Sequence, residues 1–600
     1  MLQMNFSEFS LKIEKILDVD LPSGSSITGE SHKIAGNIKI GRTAFMDEMG
    51  VDSELEYKKQ CIKDNQIMFH AHIGLNSWEA TAEAFTYLNK AVRSCGNIVD
   101  RAGICLDRRM GLPEEYRDKI PAETGPMLET ESDWMSAGRI APIQPHMGDF
   151  MIGFPASVEN TINALKAGVT TIGNLSQFFS HEVPMWQDTV STTVETVKAI
   201  SIMGALREQG TLMHSYLEDG YGALFCDCAT TAGWAYLERY IVEDLLGAKL
   251  AHCIGGLTTD PVKRSGWVFA LNEIHNRQCI GSMVYGDTLS FKENFDINRG
   301  LVGEYLLWDI MTQLQCPTGH AVQPLPVTEA LRVPSAEEIA EVQIFGRRVE
   351  ETARRLKPHM DFSDAYAFSD KIVAAGKMIF SNALAGLEEA GVNIEDPIQL
   401  LYVLKKLGPA QFEEMFGTGR LNSVYSRGRE PVIPTDVFEL SQAYVEKYRI
   451  LFSSTNSKRL LHDRRILIAS TDVHEHGIMV IHQLLAEAGA EMINLGAETN
   501  PDQVVAAARD KNPEAILIST HNGMALDYAR CLKDEMAQQG IKIPVVMGGI
   551  LNQKVENQAL PVDVSNNIKE LDFHPCPRLE NNLGSLLEYR LRGKGIDVPD

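Results

Sequence analysis

This 600-residue chain lacks a surplus of basic residues: 56 Lys and Arg stand against 80 Asp and Glu, a formal charge of −24. A nucleic-acid binder carries a basic face, and an anionic membrane surface attracts cationic segments, so both kinds of partner are excluded on charge. Long apolar runs are missing as well. No window is long and apolar enough to span a bilayer, and the N-terminal MLQMNFSEFSLKIEKILDVD has no apolar core of the signal-peptide kind. The ten cysteines are scattered without a Cys-x-x-Cys pair. The one close pair, Cys226 and Cys228, reads as buried thiols on a strand. Such cysteine usage fits a reducing compartment, so a cytoplasmic protein is expected. Internal repeats and low-complexity tracts are absent too. What is present is ordinary globular composition, 44% apolar and 23% charged, over a length that calls for two or three domains.

The order of patterns predicts an α/β chain. Residues 1–60 read as a leader: a short helix, a Ser/Gly-rich stretch from Pro22 to Gly29, and Lys39-Ile40-Gly41-Arg42. Over 61–365, apolar strand-like runs alternate with amphipathic helical segments. The runs include 66–74, 97–105, 142–153, 170–175, 211–216, 223–228, 249–254, 279–285 and 319–322. Alternation of this kind predicts parallel strands joined by right-handed crossovers, and some eight units predict a (β/α)8 TIM barrel with its site at the carboxyl ends of the strands. Residues 366–461 read as a helical extension and a turn-rich linker. Residues 462–600 alternate again and predict a flavodoxin-like, Rossmann-type domain.

The most informative run is Asp472-Val473-His474-Glu475-His476-Gly477, where the predicted strand 465–470 gives way to a predicted helix. Ser519 closes a second predicted strand and Gly548-Gly549 a third. Asp-x-His-x-x-Gly, then Ser, then Gly-Gly, all at strand ends of one βαβ array, resembles the cobalamin-binding domain shared by adenosylcobalamin-dependent mutases and corrinoid methyltransferases. The resemblance implies that His474 is the lower axial ligand of cobalt, a task suited to a neutral imidazole. Asp472 then accepts the second ring N–H and fixes the tautomer. Gly477 lets the backbone approach the macrocycle, Ser519 hydrogen-bonds the displaced base, and Gly548 and Gly549 leave room for the nucleotide tail. His521 stands where the family often has Leu.

A single barrel followed by such a domain resembles the carbon-skeleton mutases rather than the methyltransferases. Gly168-Val169-Thr170-Thr171-Ile172-Gly173-Asn174-Leu175-Ser176-Gln177 and the segment Val322 to Leu331 are similar to the barrel subunit of glutamate mutases. In that family a Glu matching Glu329 contacts the adenosyl ribose; the Lys that helps it is replaced here by Leu325. Both parts in one chain, barrel first, resembles the 2-methyleneglutarate mutases. The resemblance implies adenosylcobalamin as cofactor, a radical rearrangement of a small dicarboxylic acid (2-methyleneglutarate to 3-methylitaconate), and a homodimer or homotetramer. A dicarboxylate needs cationic forks. Arg108 and Arg109, just after the run 97–105, are the preferred carboxylate clamp, and Arg101 within it the third candidate. His146, Asn174 and Gln177, with His181 and His214, are candidates for a polar wall.

Two other readings compete. A corrinoid methyltransferase would use 370–407 as a helical cap over the cobalamin. A metal-dependent amidohydrolase-like barrel would use His70-x-His72 with His214, His252 and Asp260, and would leave the C-terminal motif unused.

Overall fold

The computed structural model describes residues 6–120, 125–183, 185–292, 294–329, 332–422, 425, 427–452, 461–471, 476–496, 499–521, 523–553 and 562–579. The chain divides into two compact units, Met1–Asp436 and Val437–Asp600.

Among its described residues the first unit holds eight strands: β1 (Met68–Ile73), β2 (Arg101–Ile104), β3 (Gln144–His146), β4 (Thr171–Ile172), β5 (Leu212–Tyr216), β6 (Leu250–Ile254), β7 (Met283–Val284) and β8 (Ala321–Val322). They form two four-stranded parallel sheets, in the orders β3-β2-β1-β8 and β4-β5-β6-β7. A parallel bridge joins Met147, just past β3, to Ile172 of β4. On the other side the Gly281 N–H donates to the Thr318 carbonyl at 2.6 Å, linking the approaches to β7 and β8.

Alternation along these strands separates two chemistries. Phe69 of β1 joins an apolar cluster with Leu306 and Ile310 of the helix Phe295–Gln315, while His70 and His72 face the other side, beside Tyr285. Register decides the same question in the second sheet. His214 and Cys253 share one face, whereas Ser215 and His252, paired to each other, turn to the opposite one. There they meet Glu238 of the helix Cys228–Arg239 at 2.6 and 3.1 Å.

Several local expectations are corrected. The run 223–228 is no strand: Tyr221–Ala223 is a 3-10 turn, the Glu413 carboxylate accepts the Cys226 and Asp227 N–H groups, and Asp227 caps the helix that starts at Cys228. Cys226 and Cys228 are buried, but not on a strand. The Ser/Gly-rich stretch 22–29 is mostly helical, part of Gly24–Ala35, because Ile27, Ser31 and Ala35 recur every four residues and bury one face. The turn-rich stretch after Phe416 is fastened to the first unit, with the Val432 and Ile433 N–H groups donating to Asp227.

The long helix Ser363–Glu389 packs on Cys228–Arg239 and Pro261–Ile274 through glycines. A Cβ on Gly376 would stand 2.8 Å from Ala232 Cβ, and one on Gly233 2.7 Å from Ile379 Cγ2. Overpacking such a contact costs about 2 kcal/mol. Gly376→Val is therefore expected to lower the urea midpoint of the first unit. Gly29→Ala, on an exposed helical turn with no described atom within 4 Å of the added Cβ, should raise the midpoint, through a gain in stability of up to about 1 kcal/mol.

Candidate functional site

The second unit is a five-stranded parallel sheet built on β9 (Arg465–Ser470), β10 (Glu491–Asn494), β11 (Ala515–Thr520), β12 (Val545–Gly549) and the strand His574–Cys576, in the order β10-β9-β11-β12-His574–Cys576. Ser470, Ser519, Gly548 and Cys576 lie opposite one another in register, so four strand ends form one row. Open α/β sheets bind ligands outside such carboxyl ends.

The structure brings Gly477, Ser519, Gly548 and Gly549 together at this edge. Gly477 opens the helix His476–Glu487, and among the described residues a Cβ there would meet Ser519 Oγ, at 3.5 Å. Gly548 and Gly549 are needed first by the backbone. A Cβ on Gly548 would stand 2.8 Å from the Cys576 carbonyl oxygen, and one on Gly549 would strike the Thr520 carbonyl and crowd His521. Gly549 also adopts φ +89°, a region that glycine enters freely. Asp472 and His474 lie outside the described residues, as does the side chain of His476; His482 is half-buried on the helix.

In the first unit, the residues singled out in sequence fall into two groups. The outer group gathers where the strands end. Asn174 Nδ2 and Gln177 Nε2 both donate to Asp219 Oδ2, at 2.7 and 2.8 Å, and Gln177 Nε2 reaches Asp149 Oδ1 at 3.3 Å. His181 Nε2 is 3.7 Å from Asp219 Oδ1 and feels the Arg108 charge. The Cys105 thiol hydrogen-bonds Asp149, and Glu329 lies close enough to act electrostatically on Cys105. Burial pushes the Asp149 carboxyl up to about 6. Burial, with Glu338 adding to it, pushes the partly buried Glu329 up to about 7. Arg109 is engaged locally: Nε and Nη2 form a fork on Asp107 at 2.8 and 3.1 Å. Arg108 sits on the same 3-10 turn, half-buried. Leu325 is buried, its N–H donating to Tyr305.

The inner group surrounds Arg101, which is fully buried. Its Nε lies 2.9 Å from Glu54 Oε1, and Lys58 Nζ sits at 2.9 Å from the same oxygen. Burial opposes the charge on Glu54, but the two cations outweigh it and hold that carboxyl below its ordinary value. Arg101 Nη1 meets His320 Nε2 at 3.1 Å, and Nη2 has no hydrogen-bond partner among the described residues. His146 Nδ1–H donates to the Thr171 carbonyl at 3.0 Å, and its ring is 4.8 Å from that of His214. Burial first, then the Arg101 charge, holds His70, His72, His146 and His214 below their usual range, so these imidazoles are neutral.

The metal-ligand set of a hydrolase barrel is not gathered. His252 is engaged by His275 at 2.9 Å and by Glu238, on the opposite face from His214, and Asp260 caps the helix Pro261–Ile274. Asp149 and Asp219 were missed in sequence, although both follow strands and a strand-end search would have found them. Glu54 and Lys58 were missed because they stand on a helix in the stretch read as a leader; their spacing of four was the only signal.

Comparison with known proteins bears on the second unit. Residues 466–564 match the family model of the B12 binding domain. The glutamate mutase sigma subunit 1 of Haloarcula marismortui is 37% identical over 84 residues, 14% of this chain and 56% of that subunit. The sigma subunit of Halobacterium salinarum is 36% identical over 81 residues, 14% of this chain and 54% of that subunit. The chain thus spans about half the length of these two relatives. The sigma subunit of Fusobacterium nucleatum is 29% identical over 110 residues, 18% of this chain and 76% of its own length. A solved cobalamin-binding protein from Desulfitobacterium hafniense aligns with 26% of this chain and 80% of its own, at 18% identity and a TM-score of 0.18. The chain is mixed α/β, with parallel sheets and a C-terminal B12-binding domain of Rossmann-like build.

Two expectations follow. Glu329 holds its proton far more tightly folded than its ordinary value of 4.5 allows. The folded state then binds the extra proton between about 4.5 and about 7, so this group makes stability fall as pH rises through that window. Thermal melts of Glu329→Gln should show a shallower fall there than the wild type. Separately, Gly549→Ala is expected to destabilise the second unit by more than about 1 kcal/mol, read by hydrogen exchange in β11 and β12.

Proposed function

We propose that this chain is an adenosylcobalamin-dependent mutase that rearranges the carbon skeleton of a small dicarboxylic acid, with 2-methyleneglutarate to 3-methylitaconate as the reaction. The observation that carries the reading is the B12-binding match over 466–564, in which Ser519 and Gly548 are register partners beside Gly477. Likeness to glutamate mutase sigma subunits favours the mutase branch. In this reading the eight strands of the first unit close as a (β/α)8 barrel; the Met147–Ile172 bridge and the Gly281–Thr318 hydrogen bond support closure on both sides. The domain limits follow the sequence: 1–60, 61–365, 366–461 and 462–600. A cytoplasmic homodimer or homotetramer belongs to the same proposal. Among the described residues no helix is long and apolar enough to cross a membrane, and all ten cysteines are free thiols.

Adenosylcobalamin, when bound, supplies a weak cobalt–carbon bond as a source of radical chemistry. The protein's tasks are to bind, orient and exclude water. His474 would be the protein's ligand to cobalt, with Asp472 fixing its tautomer; Ser519 would hydrogen-bond the cofactor's benzimidazole base, beside Gly477, Gly548 and Gly549. Glu329 would hold the adenosyl ribose, and a carboxyl that keeps its proton near neutrality can donate as well as accept. Arg108 would clamp one substrate carboxylate and Arg101 the other. Arg109 would position the turn through Asp107, and Asn174, Gln177 and His146 would complete the polar wall. A corrinoid methyltransferase is the weaker reading, because the helix Ser363–Glu389 that its cap would require is packed between helices of the first unit.

His474→Ala is expected to abolish turnover and to remove the imidazole nitrogen splitting from the electron paramagnetic resonance spectrum of the Co(II) form. Splitting that persists without return of the benzimidazole base would refute the ligand assignment. Arg108→Lys should raise KM by about tenfold or more, since lysine cannot make the bidentate contact; an unchanged KM would place the clamp elsewhere.

A further inference from the structure

The central imidazoles of the first unit differ in what they offer a ligand. A carbonyl oxygen only accepts, so the 3.0 Å contact of His146 Nδ1 with the Thr171 carbonyl fixes the ring proton on Nδ1. The neutral ring then presents Nε2 as a lone pair. Among the described residues Nε2 has no hydrogen-bond partner, and Gly148 keeps it uncovered, since a Cβ there would stand 3.0 Å away. Two neighbouring rings behave differently. His70 is buried with both nitrogens unpartnered among the described residues, so either tautomer can turn an N–H toward a ligand. His214 Nε2 lies 3.1 Å from the Tyr285 hydroxyl and 3.0 Å from Cys253 Sγ. A hydroxyl and a thiol both donate, which makes that nitrogen the acceptor and leaves the His214 proton on Nδ1. Of these three rings, His146 alone is locked as an acceptor.

Register brings that lone pair to a cation. Arg101 pairs with Gln144, and Gly103 with His146, so Arg101 and His146 lie on one face of neighbouring strands. Arg101 Nη2 is buried with no hydrogen-bond partner among the described residues, an open donor of the kind a carboxylate takes. The titratable groups around His146 are Arg101 from β2, His70 and His72 from β1 and His214 from β5. The Asp149 carboxyl, three residues on, is turned to Cys105 and Gln177. Beyond Arg101 stand Glu54 and Lys58. Burial first, then the Arg101 charge, holds the His146 ring well below its ordinary 6.5, so it is neutral in the free chain.

An ionised carboxylate is an acceptor only. One that settles on Arg101 beside His146 sets two acceptors against each other unless a proton comes between them. Resting on the reading of the first unit as a dicarboxylate site, we infer that the dicarboxylate binds together with one proton, which His146 receives at Nε2 and donates to the carboxylate held by Arg101. The proton comes from solvent. One N–H bond forms and imidazole becomes imidazolium; no bond of the ligand breaks and no electron moves. The negative charge of the ligand offsets the burial and the Arg101 charge that keep the empty ring neutral.

The test is calorimetry on the full chain loaded with hydroxocobalamin, which lacks the adenosyl group and so supports no turnover. 2-Methyleneglutarate and glutarate are titrated in at about pH 6.5, the ordinary imidazole value, in phosphate and in bis-Tris, whose heats of ionisation differ. The difference in heat is expected to report uptake of about one proton per ligand, with affinity falling about tenfold per pH unit above the bound-state value. Nitrogen NMR of the histidine-labelled chain should show one ring passing from neutral to imidazolium on saturation. His146→Gln should bind without uptake and lack that signal, whereas Glu329→Gln should keep both. Gly148→Ala, whose Cβ crowds Nε2, serves if His146→Gln does not fold, and should likewise lose uptake. Binding without proton uptake, uptake unchanged in both His146→Gln and Gly148→Ala, uptake lost in Glu329→Gln instead, or rings that all stay neutral in the saturated wild type would each overturn the inference and leave the dicarboxylate reading standing. Failure of either dicarboxylate to bind would sink that reading, and this inference with it.

Discussion

The first unit depends on one buried charge. Arg101 stands at the start of β2 with no solvent around it, and a guanidinium does not give up its proton to relieve the cost. Glu54 makes the position tolerable at 2.9 Å, and removing either partner of such a pair typically costs about 3–5 kcal/mol. Because Glu54 sits on the helix Glu54–Asp64, a segment preceding the first strand is drawn into the centre of the fold. Burial first, and then the same cation, keeps the surrounding histidines neutral, so an interior rich in imidazole does not become a cluster of repelling charges. Hydrogen-bond donors left over at Arg101 and at the histidines then become the chemistry on offer to a ligand.

In the second unit the constraint is close approach of backbone. Gly548 and Gly549 let β12 lie against its neighbours where a side chain would strike a carbonyl oxygen. The row Ser470, Ser519, Gly548 and Cys576 is thereby held in line. A glycine pair that looked like an allowance for a bound nucleotide tail is required by the sheet itself. The two explanations are compatible, since an edge kept free of side chains is open to a ligand as well.

Period and punctuation made much of this architecture legible. The runs containing β1, β2, β5 and β6 stood out because apolar residues and their turn-forming neighbours mark them, and Ser519 and Gly548 could be placed at strand ends before any coordinates. The run 223–228 misled because buried Phe225, Cys226 and Cys228 look like a strand core, while the group that fixes their backbone, Glu413, lies almost two hundred residues on. The stretch 22–29 misled in the opposite direction: serine and glycine favour turns, but tertiary burial of Ile27 and Ser31 overrode that preference. Of the candidate site, Asn174 and Gln177 were found from a resemblance, and the structure shows them sharing Asp219. Arg109 was chosen as a substrate ligand on its type and its place just after the run 97–105; only geometry reveals that Asp107 occupies its fork. His252 and His214 are indistinguishable by type, and strand register alone turns one toward the helices and the other toward the centre.

The central claim is that a B12-binding domain and an arginine-bearing α/β unit in one chain together rearrange a dicarboxylic acid. Its most direct test is proton NMR of 2-methyleneglutarate incubated under nitrogen with the purified chain and adenosylcobalamin. The account predicts new methyl resonances of 3-methylitaconate that depend on the adenosyl form of the cofactor. An unchanged spectrum from protein shown to have bound adenosylcobalamin, with every other small dicarboxylate equally inert, would contradict it.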